Sequence, residues 1–167
     1  MGRGLSPNNK IAKRVWIKAS ADTVYKALTE AGELAHWFCD HASCDAREGG
    51  ELAVRWRIGK KTQKGRARFT QLSPGVSMEL LWIDDGSGSG EQHSNHTLSY
   101  EIRSKSGMTE LAMVDNDDAS FDEEAYAFLD RGWNSVLLEL KDHCERRERS
   151  AKLRQHTKAD SQRAPTE

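Results

Sequence analysis

The hydrophobic period of this chain changes twice, and that change limits its fold more than any single motif does. Val24, Ala27, Leu28 and Ala31 recur at helical spacing after an N-capping Ser20 with Asp22 in the first turn. From Gly49-Gly50 onward the period drops to two. Leu52, Val54, Trp56 and Ile58 alternate with Ala53, Arg55 and Arg57, the pattern of a half-buried antiparallel strand. It returns to helical spacing in Tyr126, Leu129, Trp133, Val136, Leu137, Leu140 and Cys144. Short helices, a meander of strands and one long amphipathic helix describe a curved sheet wrapped around a helix.

The elements between these follow from the same reading. Residues 11–18, with Val15, Trp16 and Ile17, form a first strand. Gly32 stops the first helix, and residues 33–38 add a second with Leu34, Trp37 and Phe38 on its apolar side. Gly59-Lys60-Lys61, Ser73-Pro74-Gly75 and Ser106-Gly107 turn the chain between strands carrying Gly65, Ala67 and Phe69, then Met78, Leu80 and Trp82, then His96, Leu98, Tyr100 and Ile102, then Thr109, Leu111 and Met113. Residues 115–130 carry seven acidic side chains and no Lys or Arg, so they lead into the N-terminus of the last helix, where the dipole favours carboxylates. Gly132, costing about 1 kcal/mol against Ala inside a helix, implies close approach to a strand.

The 167 residues suit one domain, with residues 1–10 a disordered N-terminus, 11–146 the folded domain and 147–167 a polar, disordered tail. A charged fraction of 31% and a mean hydropathy of -0.77 agree with a solvated tail. Net charge is -1, which points to neither nucleic acid nor an anionic membrane as partner. Three cysteines do not make a disulfide framework. Without a secretory signal or a membrane-spanning run, a cytoplasmic protein is expected.

The string Val24-Tyr25-Lys26-Ala27-Leu28-Thr29, then Trp37-Phe38, then Arg47-Glu48-Gly49-Gly50, resembles the family named after the activator of Hsp90 ATPase. Gly65, Pro74, Trp82, Thr109-Glu110-Leu111 and Gly132-Trp133 continue the match in order, over roughly residues 10 to 146. That family lies in the START-like (SRPBCC) superfamily. The resemblance implies an α+β helix-grip fold and a cavity between sheet and helix that in relatives holds apolar molecules. It carries over no catalytic residue. The eukaryotic co-chaperone has a further N-terminal domain, which is not expected here with only about ten residues before the first strand.

Trp56, Phe69, Trp82, His96, Leu98, Tyr100, Met113, Trp133 and Leu137 fall on inward faces and are the expected cavity lining. His96 shares the strand phase of Leu98 and Tyr100, where a proton-transfer role is conceivable; His93 is in the opposite phase. No catalytic residue is assigned, and an enzyme of cyclase or dehydratase type is a secondary alternative. His36, Cys39, His41 and Cys44 are zinc-ligand types, but four ligands in nine residues are hard to place tetrahedrally, so no metal and no cofactor is expected. Arg55, Arg57, Arg66 and Arg68 read as the solvated face of the sheet. The expected function is binding of a small apolar molecule, with residues 84–90 or the acidic segment before the last helix as a gate. An interaction module for an Hsp90-type chaperone is the alternative partner reading, and homodimerisation through a sheet edge is compatible with the pattern.

Overall fold

The computed structural model describes residues 8–83 and 95–163. The chain runs β1 (Asn8–Ile17), α1 (Ala21–Thr29), α2 (Ala31–Trp37), β2 (His41–Cys44), β3 (Glu51–Ile58), β4 (Lys61–Ser73), β5 (Ser77–Ile83), β6 (His96–Lys105), β7 (Met108–Phe121) and α3 (Glu123–Ser161). The strands form one sheet in the order β1-β7-β6-β5-β4-β3-β2, antiparallel throughout. The chain passes from one sheet edge to the other through α1 and α2. These helices and the inner face of the sheet pack against α3. This is the helix-grip arrangement.

Local chemistry sets the junctions. Ser20 caps α1 by accepting from the Thr23 N–H at 3.2 Å. The Thr23 hydroxyl donates to Glu148 Oε2 at 2.8 Å, and the Lys18 N–H donates to Glu145 Oε1 at 3.1 Å, so carboxylates of α3 hold the β1–α1 corner. The buried Thr109 hydroxyl donates to the Ala19 carbonyl at 2.6 Å. Asp122 caps α3 through the Ala125 N–H at 2.8 Å, with Glu123 and Glu124 in the first turn. Gly50 is fixed by sterics: a Cβ there would lie 1.9 Å from the Asp45 carbonyl oxygen.

Several elements differ from the sequence expectation. The first helix ends at Thr29, because Glu30 is extended; Gly32 lies inside α2. A short edge strand, β2, precedes β3 and pairs with it. The acidic segment is divided: Asp122, Glu123 and Glu124 do open α3, but its first part is strand. Residues up to Phe121 continue β7, with Asn116 opposite Lys10 and Asp117 opposite His96, because two flanking strands override the poor strand propensity of Asp and Asn. That half of the expected gate is therefore sheet; the other half, residues 84–90, and His93 lie outside the described residues. The tail expected to be disordered from 147 is helical through Ser161, since no Gly or Pro interrupts residues 133–163 and most side chains there are good helix formers. The polar N-terminal stretch expected through 10 is already strand from Asn8.

No helix among the described residues is long and apolar enough to cross a membrane.

Candidate functional site

A cavity of about 360 Å³ lies between the sheet and α3. Its floor comes from alternating inward residues of four strands: Leu52 and Trp56, Leu80 and Trp82, then His96, Leu98 and Tyr100, then Asp115. Its roof is one face of α3, namely Phe128, Leu129, Gly132, Trp133 and Val136. Leu28 of α1, with Leu34, Trp37 and Phe38 at α2, closes the side. A mostly apolar wall with a few placed polar groups is the usual form of a small-molecule site.

Aromatic rings form a continuous wall. Phe38 meets Trp37 at 5.2 Å between centroids and Trp56 edge-to-face at 5.3 Å. It also approaches Trp82 at 6.4 Å, and Trp82 in turn stacks on His96 at 6.2 Å with planes 13° apart. Two of the indoles are fixed by backbone acceptors. Trp37 Nε1 donates to the Ala27 carbonyl at 2.8 Å, and Trp56 Nε1 to the Phe38 carbonyl at 2.6 Å. Gly65 lets Trp56 and Trp82 approach one another, since a Cβ there would sit 3.0 Å from each ring.

The polar groups gather in one corner. Asp115 accepts from Trp133 Nε1 at 2.8 Å through Oδ2 and pairs with His96 Nδ1 at 2.6 Å through Oδ1. Tyr100 is buried on the adjoining wall. Burial first, and the charge of Asp115 second, push its phenol well above the ordinary value, so it stays protonated. No hydrogen bond to its hydroxyl is formed among the described residues, and that oxygen is not sealed from the cavity.

Of the residues expected to line the cavity, Trp56, Trp82, His96, Leu98, Tyr100 and Trp133 do so. Phe69, Met113 and Leu137 do not: they are buried in the solid core. All three occupy the expected inward phase, but phase does not say whether the neighbours leave space. Sequence reading missed Asp115, and a signal was present. Leu111, Met113 and Asp115 keep one period-two phase, which continues the inward face of β7. The close approach inferred at Gly132 is also corrected. A Cβ there would meet nothing within 4 Å, and the residue opens onto the cavity.

The four zinc-type residues are dispersed. His36 Nδ1 donates to the Gly32 carbonyl at 2.6 Å, and Cys39 donates to the Leu34 carbonyl. His41 and Cys44 point to opposite faces of β2. Burial pushes the Cys39 thiol up and raises Cys44 to about 11, with Asp40 and Asp45 adding to the respective shifts. Among the described residues no group of three or more His, Cys, Asp or Glu is arranged to hold a metal. Arg55, Arg57, Arg66 and Arg68 are exposed, and Arg66 pairs with Glu51 at 2.7 Å.

Comparison with solved structures places this architecture among known folds. DynU16, a protein from the dynemicin biosynthetic locus, is 20% identical with a TM-score of 0.69 over 83% of this chain, which spans only 48% of that protein. The protein CV1439 from Chromobacterium violaceum is 21% identical with a TM-score of 0.66, covering 82% of this chain and 98% of its own. The Aha1 dimer from Colwellia psychrerythraea is 21% identical with a TM-score of 0.66, covering 81% and 96% respectively. Nothing among curated proteins matches in sequence. At these identities the structural likeness shows the fold. The sequence profile described as "Activator of Hsp90 ATPase homolog 1-like protein" matches residues 18–145, most of the chain, and the chain belongs to that family.

Proposed function

We propose that this protein binds a small, planar, largely apolar molecule in the cavity between the sheet and α3. The observation that carries the reading is the lining: Trp37, Phe38, Trp56, Trp82 and Trp133 surround about 360 Å³, with the His96–Asp115 pair and Tyr100 as its polar groups. Such a volume accommodates a two- or three-ring ligand. The aromatic walls favour a flat molecule, and the polar corner favours one bearing a single carbonyl or hydroxyl group. DynU16, which shares the fold, comes from a biosynthetic locus, which agrees with this reading but does not carry it.

Two measurements test it. Native mass spectrometry of the freshly purified protein, compared with the denatured mass, should reveal an organic adduct when a ligand is retained. Calorimetric titration with 2-tetralone, a bicyclic aromatic ketone, should give saturable one-to-one binding, which Gly132→Phe abolishes by filling the space above the floor. Absence of saturable 2-tetralone binding by the wild-type protein would overturn the reading.

A further inference from the structure

The polar corner is more organised than a binding anchor requires. Both Asp115 oxygens are occupied, one by Trp133 Nε1 and the other by His96 Nδ1. A carboxylate accepts, so the Nδ1 that faces Asp115 carries a proton, and in the neutral ring Nε2 keeps its lone pair. Nε2 takes no hydrogen bond among the described residues. The Trp82 ring stacked on the imidazole restrains its plane. A base whose second nitrogen is oriented by a carboxylate is the arrangement general-base catalysis uses. Tyr100 lines the same cavity, its phenol within reach of the Asp115 charge, and its hydroxyl has no hydrogen-bond partner among the described residues; the residue is only 6% exposed, and burial keeps it a proton donor in hydrogen bonds. An apolar enclosure strengthens both effects.

We propose that His96 is the general base of a proton-transfer reaction on an enolisable apolar ketone held in the cavity, with Asp115 positioning His96 and Tyr100 donating a hydrogen bond to the ketone oxygen. The inference rests on the ligand reading above. His96 Nε2 removes a proton from the carbon next to the carbonyl: the C–H bond breaks, an N–H bond forms, and the electron pair moves into the new C=C bond while the carbonyl pair moves onto oxygen. The Tyr100 O–H stabilises that enolate oxygen. Imidazolium then delivers a proton to carbon, at the same position once its N–H has exchanged with solvent water, or at a conjugated one. Atoms and charge balance without a co-reactant, so the net reaction is exchange or isomerisation.

The test is deuterium incorporation from D2O at the benzylic C1 of 2-tetralone, followed by proton NMR. Wild-type protein is expected to accelerate exchange saturably. His96→Gln should still bind 2-tetralone saturably yet lose roughly 100-fold or more of the acceleration at saturating ketone, and Tyr100→Phe should lose about 10-fold or more. Asp115→Asn tests positioning: exchange should fall while binding persists, and 15N NMR of the imidazole should show the Nδ1–H tautomer in wild type and its loss in the variant. A purely structural Asp115 would leave the tautomer unchanged. If 2-tetralone binds but wild type exchanges it no faster than His96→Gln, the proposal is overturned with the ligand reading intact. If 2-tetralone does not bind, the ligand reading fails and this inference with it.

Discussion

Trp133 and Asp115 join the long helix to the sheet by a hydrogen bond of 2.8 Å between Nε1 and Oδ2. The acceptor is a carboxylate and the pair is largely sheltered, so its contribution should exceed that of an average neutral bond. Trp133→Phe keeps most of the ring and removes the donor. It is expected to lower stability by about 1–2 kcal/mol, read as the urea midpoint with an unchanged slope. No change would mean that the bond adds nothing net.

Gly65 is expected to tolerate no side chain without cost. A Cβ would lie 3.0 Å from both the Trp56 and Trp82 rings, and those rings must shift to admit it. Gly65→Ala should destabilise by about 1–3 kcal/mol and alter the near-ultraviolet circular dichroism. Gly50→Ala should be worse, above about 3 kcal/mol, because the clash there is far closer, 1.9 Å, and is with a backbone carbonyl oxygen.

Gly132 predicts the opposite sign. A Cβ there meets nothing within 4 Å, so Gly132→Ala gains helix propensity at no steric expense. A stabilisation of up to about 1 kcal/mol, or roughly 2–4 °C in thermal midpoint, is expected by calorimetry, together with weaker 2-tetralone binding. A lower midpoint would show that glycine serves the backbone rather than the cavity.

Glu33 supplies a pH dependence. Its carboxylate pairs with the buried His143 Nε2 at 2.5 Å and with Arg147 Nε at 3.1 Å. Burial alone would raise the Glu33 carboxyl, but the hydrogen bond from His143 and the charge of Arg147 outweigh it and hold the group below its ordinary value. A lowered folded-state value means that the stabilisation is present above the unfolded carboxylate range, about pH 4.3, and is lost as pH falls through the lowered value. Glu51, hydrogen-bonded by Arg66, and Glu145, hydrogen-bonded by Lys141, shift in the same direction. Urea midpoints measured from pH 6 down to roughly pH 3 should therefore fall, and Glu33→Gln should flatten part of that fall. An identical acid limb in the variant would remove Glu33 from the account.

The strands were readable because Leu52, Val54 and Trp56, or Leu98, Tyr100 and Ile102, announce their phase within a few residues. The cavity was only half readable. Phe69 and Trp82 carry the same local signal, yet one is core and the other lines space, because the difference depends on what lies across the sheet. Asp115 was hidden for a related reason. Its partners His96 and Trp133 lie 19 and 18 residues away in sequence, and its neighbours Asn116 and Asp117 look like a loop until β1 and β6 flank them. The continuation of α3 past Cys144 was legible in the absence of Gly and Pro, but the loss of an apolar stripe masked it.

Three indole N–H groups of the cavity wall, those of Trp37, Trp56 and Trp133, are each held by an acceptor belonging to the protein itself. The rings are thus ordered by folding, before any guest arrives. Preorganisation of this kind spares a guest the entropy of freezing bulky side chains, about 0.5–1.5 kcal/mol for each one. It also makes the wall unforgiving, since a rigid surface rewards a molecule of matching shape and has no way to remould itself around one that does not match.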